Sequence, residues 1–235
     1  MPNMILSLAH FCDKHGPRVL LGTQFAVDGA SLLLPDYATE TFCESCSMKF
    51  PNNDTSSRSI RTRMRGKDYV STNYPAVRYQ LVSSIIRHMF SEETMAYDSA
   101  PLSFFDESKG LNLAMGFKLP DTDARGDERR YALLLTIDSP DYASSMKILA
   151  KHWEFTTYSF RKIIDYIKQR RKLEMKRSFA ENVPQEFTPM GGTYLKGNNY
   201  KIPRNLASLT NDDLLFVRLH KWNTFILDAL NSDVA

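Results

Sequence analysis

The stretch that most restricts what this chain can become is Gly110 to Asp138, GLNLAMGFKLPDTDARGDERRYALLLTID. Leu111, Leu113, Met115, Phe117 and Leu119 fall on alternate positions, which gives a strand one apolar face. Tyr131 to Ile137 is apolar almost throughout, the pattern of a strand covered on both sides. Between them, Pro120 to Arg130 has no apolar residue except Ala124. Pro120 removes a ladder donor and stops the first strand, and Gly126 can take the positive φ of a turn. The segment predicts a β-hairpin with a charged tip, and the rest of the chain must build a sheet around it.

Met4 to Cys12 and Arg18 to Phe25 predict two further strands, joined by the turn chemistry of Asp13-Lys14-His15-Gly16-Pro17. Ala26 to Asn73 is a polar connection. Its tip, Asn52 to Lys67, carries Arg58, Arg61, Arg63, Arg65 and Lys67 and reads as a mobile insertion. A helix should start at about Pro75, with Tyr79, Val82, Ile85, Ile86, Met89 and Phe90 on its buried face. Leu102 to Phe105 predicts a strand. Ser144 to Arg177 is helical by spacing, as two helices broken near Phe155-Thr156-Thr157 or as one long bent helix. Phe179 to Arg204, rich in proline and glycine, predicts a linker or strap. Thr210 with Asp213 forms a weak capping box ahead of a last helix, which runs to about Leu230 with Leu215, Leu219, Trp222, Ile226 and Leu230 on one face. The expected class is α+β: a five-stranded, antiparallel-type sheet packed with helices. That domain spans 1–178, with the mobile insertion at about 52–67, and a linker and C-terminal helix (179–235) pack on or beside it.

Composition removes several function classes. The net charge of +3 is too mild to argue for nucleic acid. No apolar run approaches a membrane span, and Met1 to Asn3 does not begin a secretory signal. Three cysteines are an odd count, which argues against a disulfide framework and for a reducing, cytoplasmic setting. An apolar content of 43% in 235 residues is enough for a sizeable core.

The chemistry-bearing residues are few. No G-x-x-x-x-G-K-[ST] loop is present, so the chain should not itself bind a nucleotide in that way, and no cofactor is expected. The five histidines are scattered and no G-x-S-x-G elbow occurs, so a hydrolase is not expected. Cys43-Glu44-Ser45-Cys46 has metal-ligand spacing. Cys12, with His10 or His15, could complete a set of four. A single C-x-x-C without its partner pair is a weak signal, and no metal is expected. At the hairpin tip, Arg125, Arg129 and Arg130 either balance Asp121, Asp123, Asp127 and Glu128 in solvent or offer a guanidinium to a partner's phosphate. Charged loop tips are usually the former. The basic run Lys168 to Arg177 is either a solvated helix end or a surface for an acidic partner or membrane.

Leu8-Ala9-His10-Phe11-Cys12 followed by His15-Gly16-Pro17-Arg18 resembles the start of the folliculin family. Cys43 and Cys46 fall where that family has a cysteine pair. Ala124-Arg125-Gly126 followed by Arg130-Tyr131 resembles its central hairpin. Ser208-Leu209-Thr210, Asp212-Asp213 and Leu219-His220 resemble its segment after the first domain. Among members, the chain resembles a short fungal form without the DENN domain of the larger ones. The resemblance implies a longin domain and a heterodimer with a folliculin-interacting-protein-like partner. It further implies GTPase activation of a RagC/D-type subunit of the Rag GTPase heterodimer, in amino-acid signalling to the target of rapamycin complex. The protein would be cytoplasmic and recruited to the vacuole or lysosome surface through its partners. Arg125 is then the arginine finger, with Arg129 and Arg130 as further GTPase contacts or structural charges. The alternative is a non-catalytic longin scaffold that binds GTPases or tethers a complex to that membrane.

Overall fold

The computed structural model describes residues 3–26, 43–51, 59–73, 79–91, 95–181 and 203–232. Among these, seven strands form one sheet: β1 (Asn3–Cys12), β2 (Gly16–Ala26), β3 (Ser59–Met64), β4 (Lys67–Thr72), β5 (Asp98–Asp106), β6 (Gly110–Pro120) and β7 (Glu128–Asp138), in the order β3-β4-β2-β1-β7-β6-β5. All neighbours are antiparallel. The helices are α1 (Tyr79–Ser91), α2 (Tyr142–Glu181), α3 (Leu206–Thr210) and α4 (Leu215–Ser232). The expected α+β class and helix-packed antiparallel sheet are present, and the architecture is compatible with a longin-like fold.

The period of two along each strand sorts the core into two layers. Met4, Leu6 and Leu8 of β1, with Leu111, Leu113, Met115 and Phe117 of β6, meet α2 through Leu149, Phe160, Ile163, Ile164 and Ile167. On the same side they meet α4 through Leu215, Phe216, Leu219, Ile226 and Leu230. On the other face Ile5, Ala9, Val19, Ala114, Ala132 and Leu134 pack against Val82, Ile85, Ile86 and Met89 of α1. The sheet is therefore covered on both sides, which is why β7 reads as an unbroken apolar run. The C-terminal helix packs on the domain rather than standing apart from it.

Two expectations need correcting and one open choice is settled. The sheet has seven strands because β3 arises inside the stretch expected to be a mobile insertion, and β4 follows it in the rest of the expected polar connection. In β3, Ile60, Thr62 and Met64 are half-buried while Arg61 and Arg63 are exposed. The arginines are the solvent face of an edge strand, a common defence against edge pairing. Arg65 (φ 47°) and Gly66 (φ 76°) form a two-residue turn with both residues left-handed, the geometry that suits strand twist. The buried Asp68 holds the face together, with Arg61 at 2.5 Å and Arg63 at 3.4 Å. Residues 52–58 lie outside the described residues.

Secondly, of the two alternatives for 144–177 the single helix is the one present: α2 is continuous over 40 residues. Thr157 turns its hydroxyl back onto the Trp153 carbonyl at 2.9 Å, and burial of Phe160 and Ile164 outweighs the weak local propensity. Thirdly, Thr210 caps nothing, since its hydroxyl donates to the Leu206 carbonyl. Asn205 caps α3 by accepting from the Ser208 N–H, Asn211 closes it in the left-handed region, and Asp212 accepts from the Leu214 N–H at the start of α4. Most of the expected linker, residues 182–202, lies outside the described residues.

Two predictions arise here. Gly110 has φ +68°, and a Cβ on it would lie 2.2 Å from the Ile137 carbonyl oxygen. Gly110→Ala should therefore lose about 3 kcal/mol of stability, read from urea unfolding. His220 is buried between two hydroxyls, Ser71 at 2.6 Å and Thr62 at 2.8 Å. Burial, with Lys221 beside it, pushes its pKa down to about 4. Above pH 6.5 the imidazole is neutral whether the chain is folded or not. As pH falls below that, the unfolded chain takes up a proton that the folded chain refuses, so stability falls until about pH 4. At pH 5 the loss should be about 1–2 kcal/mol, and His220→Asn should be less sensitive over the same interval. Equal acid sensitivity of the two proteins would exclude this role.

Candidate functional site

The hairpin tip is built by the chain's own amides. Asp121 N–H donates to the Asp127 carbonyl at 2.9 Å, Ala124 N–H to the Asp121 carbonyl at 3.0 Å, and Asp127 N–H to the Ala124 carbonyl at 3.2 Å. Ala124, the tip's apolar residue, is buried and anchors the loop. A 3-10 turn over Arg125–Asp127 then passes through Gly126 at φ 72°. Arg125 donates its backbone N–H to the Asp13 carboxylate at 3.2 Å, which ties the tip to the β1–β2 turn. The Arg125 side chain is exposed, and its guanidinium has no partner among the described residues.

The other two arginines sit differently. Arg129 is only 6% exposed. Its Nε meets Asp121 at 2.5 Å and its Nη1 donates to the Ser45 hydroxyl at 2.8 Å. Asp121, 1% exposed, also faces Arg171 of α2 at 3.8 Å. Arg171 in turn donates to the Pro120 and Leu209 carbonyls at 2.8 and 3.2 Å. Arg129 is thus an internal charge rather than a surface contact, since a buried carboxylate at the end of β6 demands a cation. Arg171 takes one member of the basic run inside as well, and Arg170 is tied to the Asn211 carbonyl. Arg130 is exposed and lies over the Tyr97 ring at 5.4 Å, beside Glu128. Of the three arginines, Arg125 is the one presented outward on a braced loop.

Next to it the cysteines converge. Cys12 ends β1, His15 lies in the turn that follows, and Cys43 and Cys46 flank a short 3-10 turn over Glu44–Cys46. The four ligand atoms all lie within 4.8 Å of one another. His10 is not one of the four: its Nε2 stands behind Cys46 Sγ at 3.3 Å, and its ring stacks on Tyr131. Burial and the nearby Arg129 push the His10 pKa down to about 3, so the ring is neutral. The hydrogen bond from Cys46 draws the Cys12 thiol down to about 5, while that same bond and burial push Cys46 up. Cys12, Cys43, Ser45, Arg125 and Arg129 line a common depression of about 520 Å3. The sequence offered Cys12 with His10 or His15 as partners of the C-x-x-C pair; the sheet brings the two segments together and makes His15 the fourth neighbour.

On the far helical layer, Tyr158, Lys162 and Tyr166 of α2 and Trp222 and Phe225 of α4 line a shallow apolar groove of about 310 Å3. Among the described residues, no helix is long and apolar enough to cross a membrane.

Three kinds of relative share this sequence. Residues 67–230 match a family described as "Folliculin: Vesicle coat protein involved in Golgi to plasma membrane transport". The chain is 48% identical to Protein LST7 of Saccharomyces cerevisiae over 240 residues, covering 99% of this chain and 98% of that one. It is 26% identical to the folliculin of Homo sapiens over 282 residues and 25% identical to that of Bos taurus over 278. In both, 98% of this chain matches 46% of the animal protein, so it spans about half their length.

Proposed function

The chain belongs to the folliculin family, and from that premise we propose that it acts as the GTPase-activating subunit toward a RagC/D-type Rag GTPase, with Arg125 as the arginine finger. It does so in a heterodimer with a folliculin-interacting-protein-like partner, at the vacuole or lysosome surface, in amino-acid signalling to the target of rapamycin complex. The observation that carries the reading is the contrast between Arg125 and Arg129. Arg129 is consumed by the internal pair with Asp121, while Arg125 projects from a loop whose backbone is fixed at Asp13. GTP hydrolysis builds negative charge on phosphate oxygens, and a guanidinium held in place meets that charge without reorganising. Among the described residues, β3 and β5 each have one sheet neighbour, so an edge is open to a partner's strand. β3 is lined with exposed arginines, which leaves β5 as the better edge.

The test is single-turnover GTP hydrolysis by a Rag-type heterodimer, with and without this chain and its partner. A rate rise of about 10³-fold or more is expected with the complex; binding without any rise would reject activation. A second reading has its own observation. The aromatic groove between α2 and α4 lies in the helical layer and shares no lining residue with the depression beside Arg125. It suits a scaffold that docks partners without touching turnover, and charge reversal at the exposed Lys172 and Lys176 of the basic run would then abolish recruitment alone.

A further inference from the structure

We propose that Cys12, His15, Cys43 and Cys46 bind one structural zinc ion. The argument begins with lengths. A tetrahedral zinc with sulfur at about 2.3 Å and nitrogen at about 2.0–2.1 Å sets ligand edges of about 3.8 Å between sulfurs and about 3.6 Å between sulfur and nitrogen. The Cys12–Cys43 and Cys43–Cys46 sulfurs are 3.5 and 3.7 Å apart. His15 Nδ1 lies 3.8 Å from Cys12 Sγ and 3.4 Å from Cys46 Sγ. Four edges of one tetrahedron are therefore already at metal-binding length, and all the ligand atoms lie within 4.8 Å of one another. These sulfur separations are too long for a disulfide, whose S–S bond is about 2.0 Å. The donor set is Cys₃His, soft enough to prefer zinc over a hard cation.

The surroundings are those of a structural site. Cys43 and Cys46 bracket a 3-10 turn closed by the Cys46 N–H on the Cys43 carbonyl at 2.9 Å, which points both sulfurs to one side. His10 Nε2 stands 3.3 Å from Cys46 Sγ, and in the tautomer with its proton on Nε2 it gives the outer hydrogen bond that steadies a metal-bound thiolate. Asn73 holds the Cys46 carbonyl at 3.1 Å, and Arg129 holds Ser45. On binding, each sulfur that takes the metal releases its remaining proton to solvent, and His15 binds as neutral imidazole through Nδ1. Three thiolates and one zinc leave a single negative charge, and the neighbouring Arg129 and Arg18 are the cations around His10 that offset it. With all four positions filled by protein, the ion has no open place for a substrate and serves as a clamp. It fastens segment 43–46 to the β1–β2 turn, which carries Asp13 and so the backbone of Arg125. The inference does not depend on the GTPase reading.

The experiment uses the full chain, produced with zinc in the medium and purified without chelator, with metal measured by elemental analysis. About one zinc per chain is expected. Cobalt(II) exchanged into the site should give the intense d–d bands of a tetrahedral ion and a thiolate charge-transfer band. His15→Cys should keep both, because it preserves four soft ligands. Cys43→Ser should lower affinity for added zinc by roughly tenfold or more. Wild-type protein that carries almost no zinc, takes up none when micromolar zinc is added, and gives cobalt spectra without thiolate bands would overturn the proposal, as would full zinc in a Cys12→Ser, Cys43→Ser double variant. The wild-type measurements decide the matter even if a variant does not fold.

Discussion

Arg125→Ala should remove the GTPase stimulation by about 10³-fold or more, while heterodimer formation and GTPase binding stay at wild-type level. The structural reason for expecting so clean a separation is that no side chain among the described residues uses the Arg125 guanidinium. Among the described residues, Arg125 is held by its backbone N–H on the Asp13 carboxylate, and alanine keeps that amide. Neighbouring Ala124 stays buried and Gly126 keeps its positive φ, so the loop holds its shape. Arg125→Lys should recover little of the loss, because an ammonium offers no planar fork. Asp13→Ala should fall in between, since it loosens the loop but leaves the charge. Single-turnover hydrolysis beside a binding titration reads all three. An alanine variant that still stimulates at the wild-type rate would take Arg125 out of the mechanism and leave the scaffold reading.

The second large effect concerns folding rather than turnover. Asp121→Ala should cost about 3–5 kcal/mol, because it strands the Arg129 guanidinium in a site that is almost wholly enclosed and also deprives Arg171 of its nearby anion. Arg129→Ala should cost a similar amount by stranding the carboxylate. The two losses should be far from additive: in a double-mutant cycle on urea unfolding, removing both should cost little more than removing either. This matters for interpreting activity. A fall in stimulation by Arg129→Ala tracks the fraction of folded protein, whereas the Arg125→Ala loss does not. Full additivity of the two single changes would show that the pair is not coupled as the distances imply.

Much of this architecture was legible in the residues. The alternation of Leu111 to Leu119 and the solid apolar run of β7 announced the central hairpin, and the three- and four-residue steps of α1, α2 and α4 announced their buried faces. What the sequence obscured was of two kinds. Strand β3 looked like a charged insertion because an edge strand shows solvent half of its residues; the alternation of Ile60, Thr62 and Met64 and the Arg65-Gly66 turn were the available signals. The Arg129 ion pair and the choice of His15 over His10 as fourth neighbour of the cysteines depend on tertiary placement. Asp121 and Arg129 face each other across the hairpin tip, but the Ser45 and Arg171 that enclose them come from distant segments, and no local pattern tells a buried arginine from the exposed one four residues earlier. The continuity of α2 was likewise decided by packing, which outweighed the β-branched threonines at its middle.

The position of β1 also governs how the molecule can come into being. Strand β1 lies at the middle of the sheet, and one of its two neighbours, β7, is made only much later along the chain. Until then Met4, Leu6 and Leu8 have no finished surface to cover them, and pairing across so large a loop is slow. Loss of β1 would therefore remove a central plank of the sheet rather than a fringe.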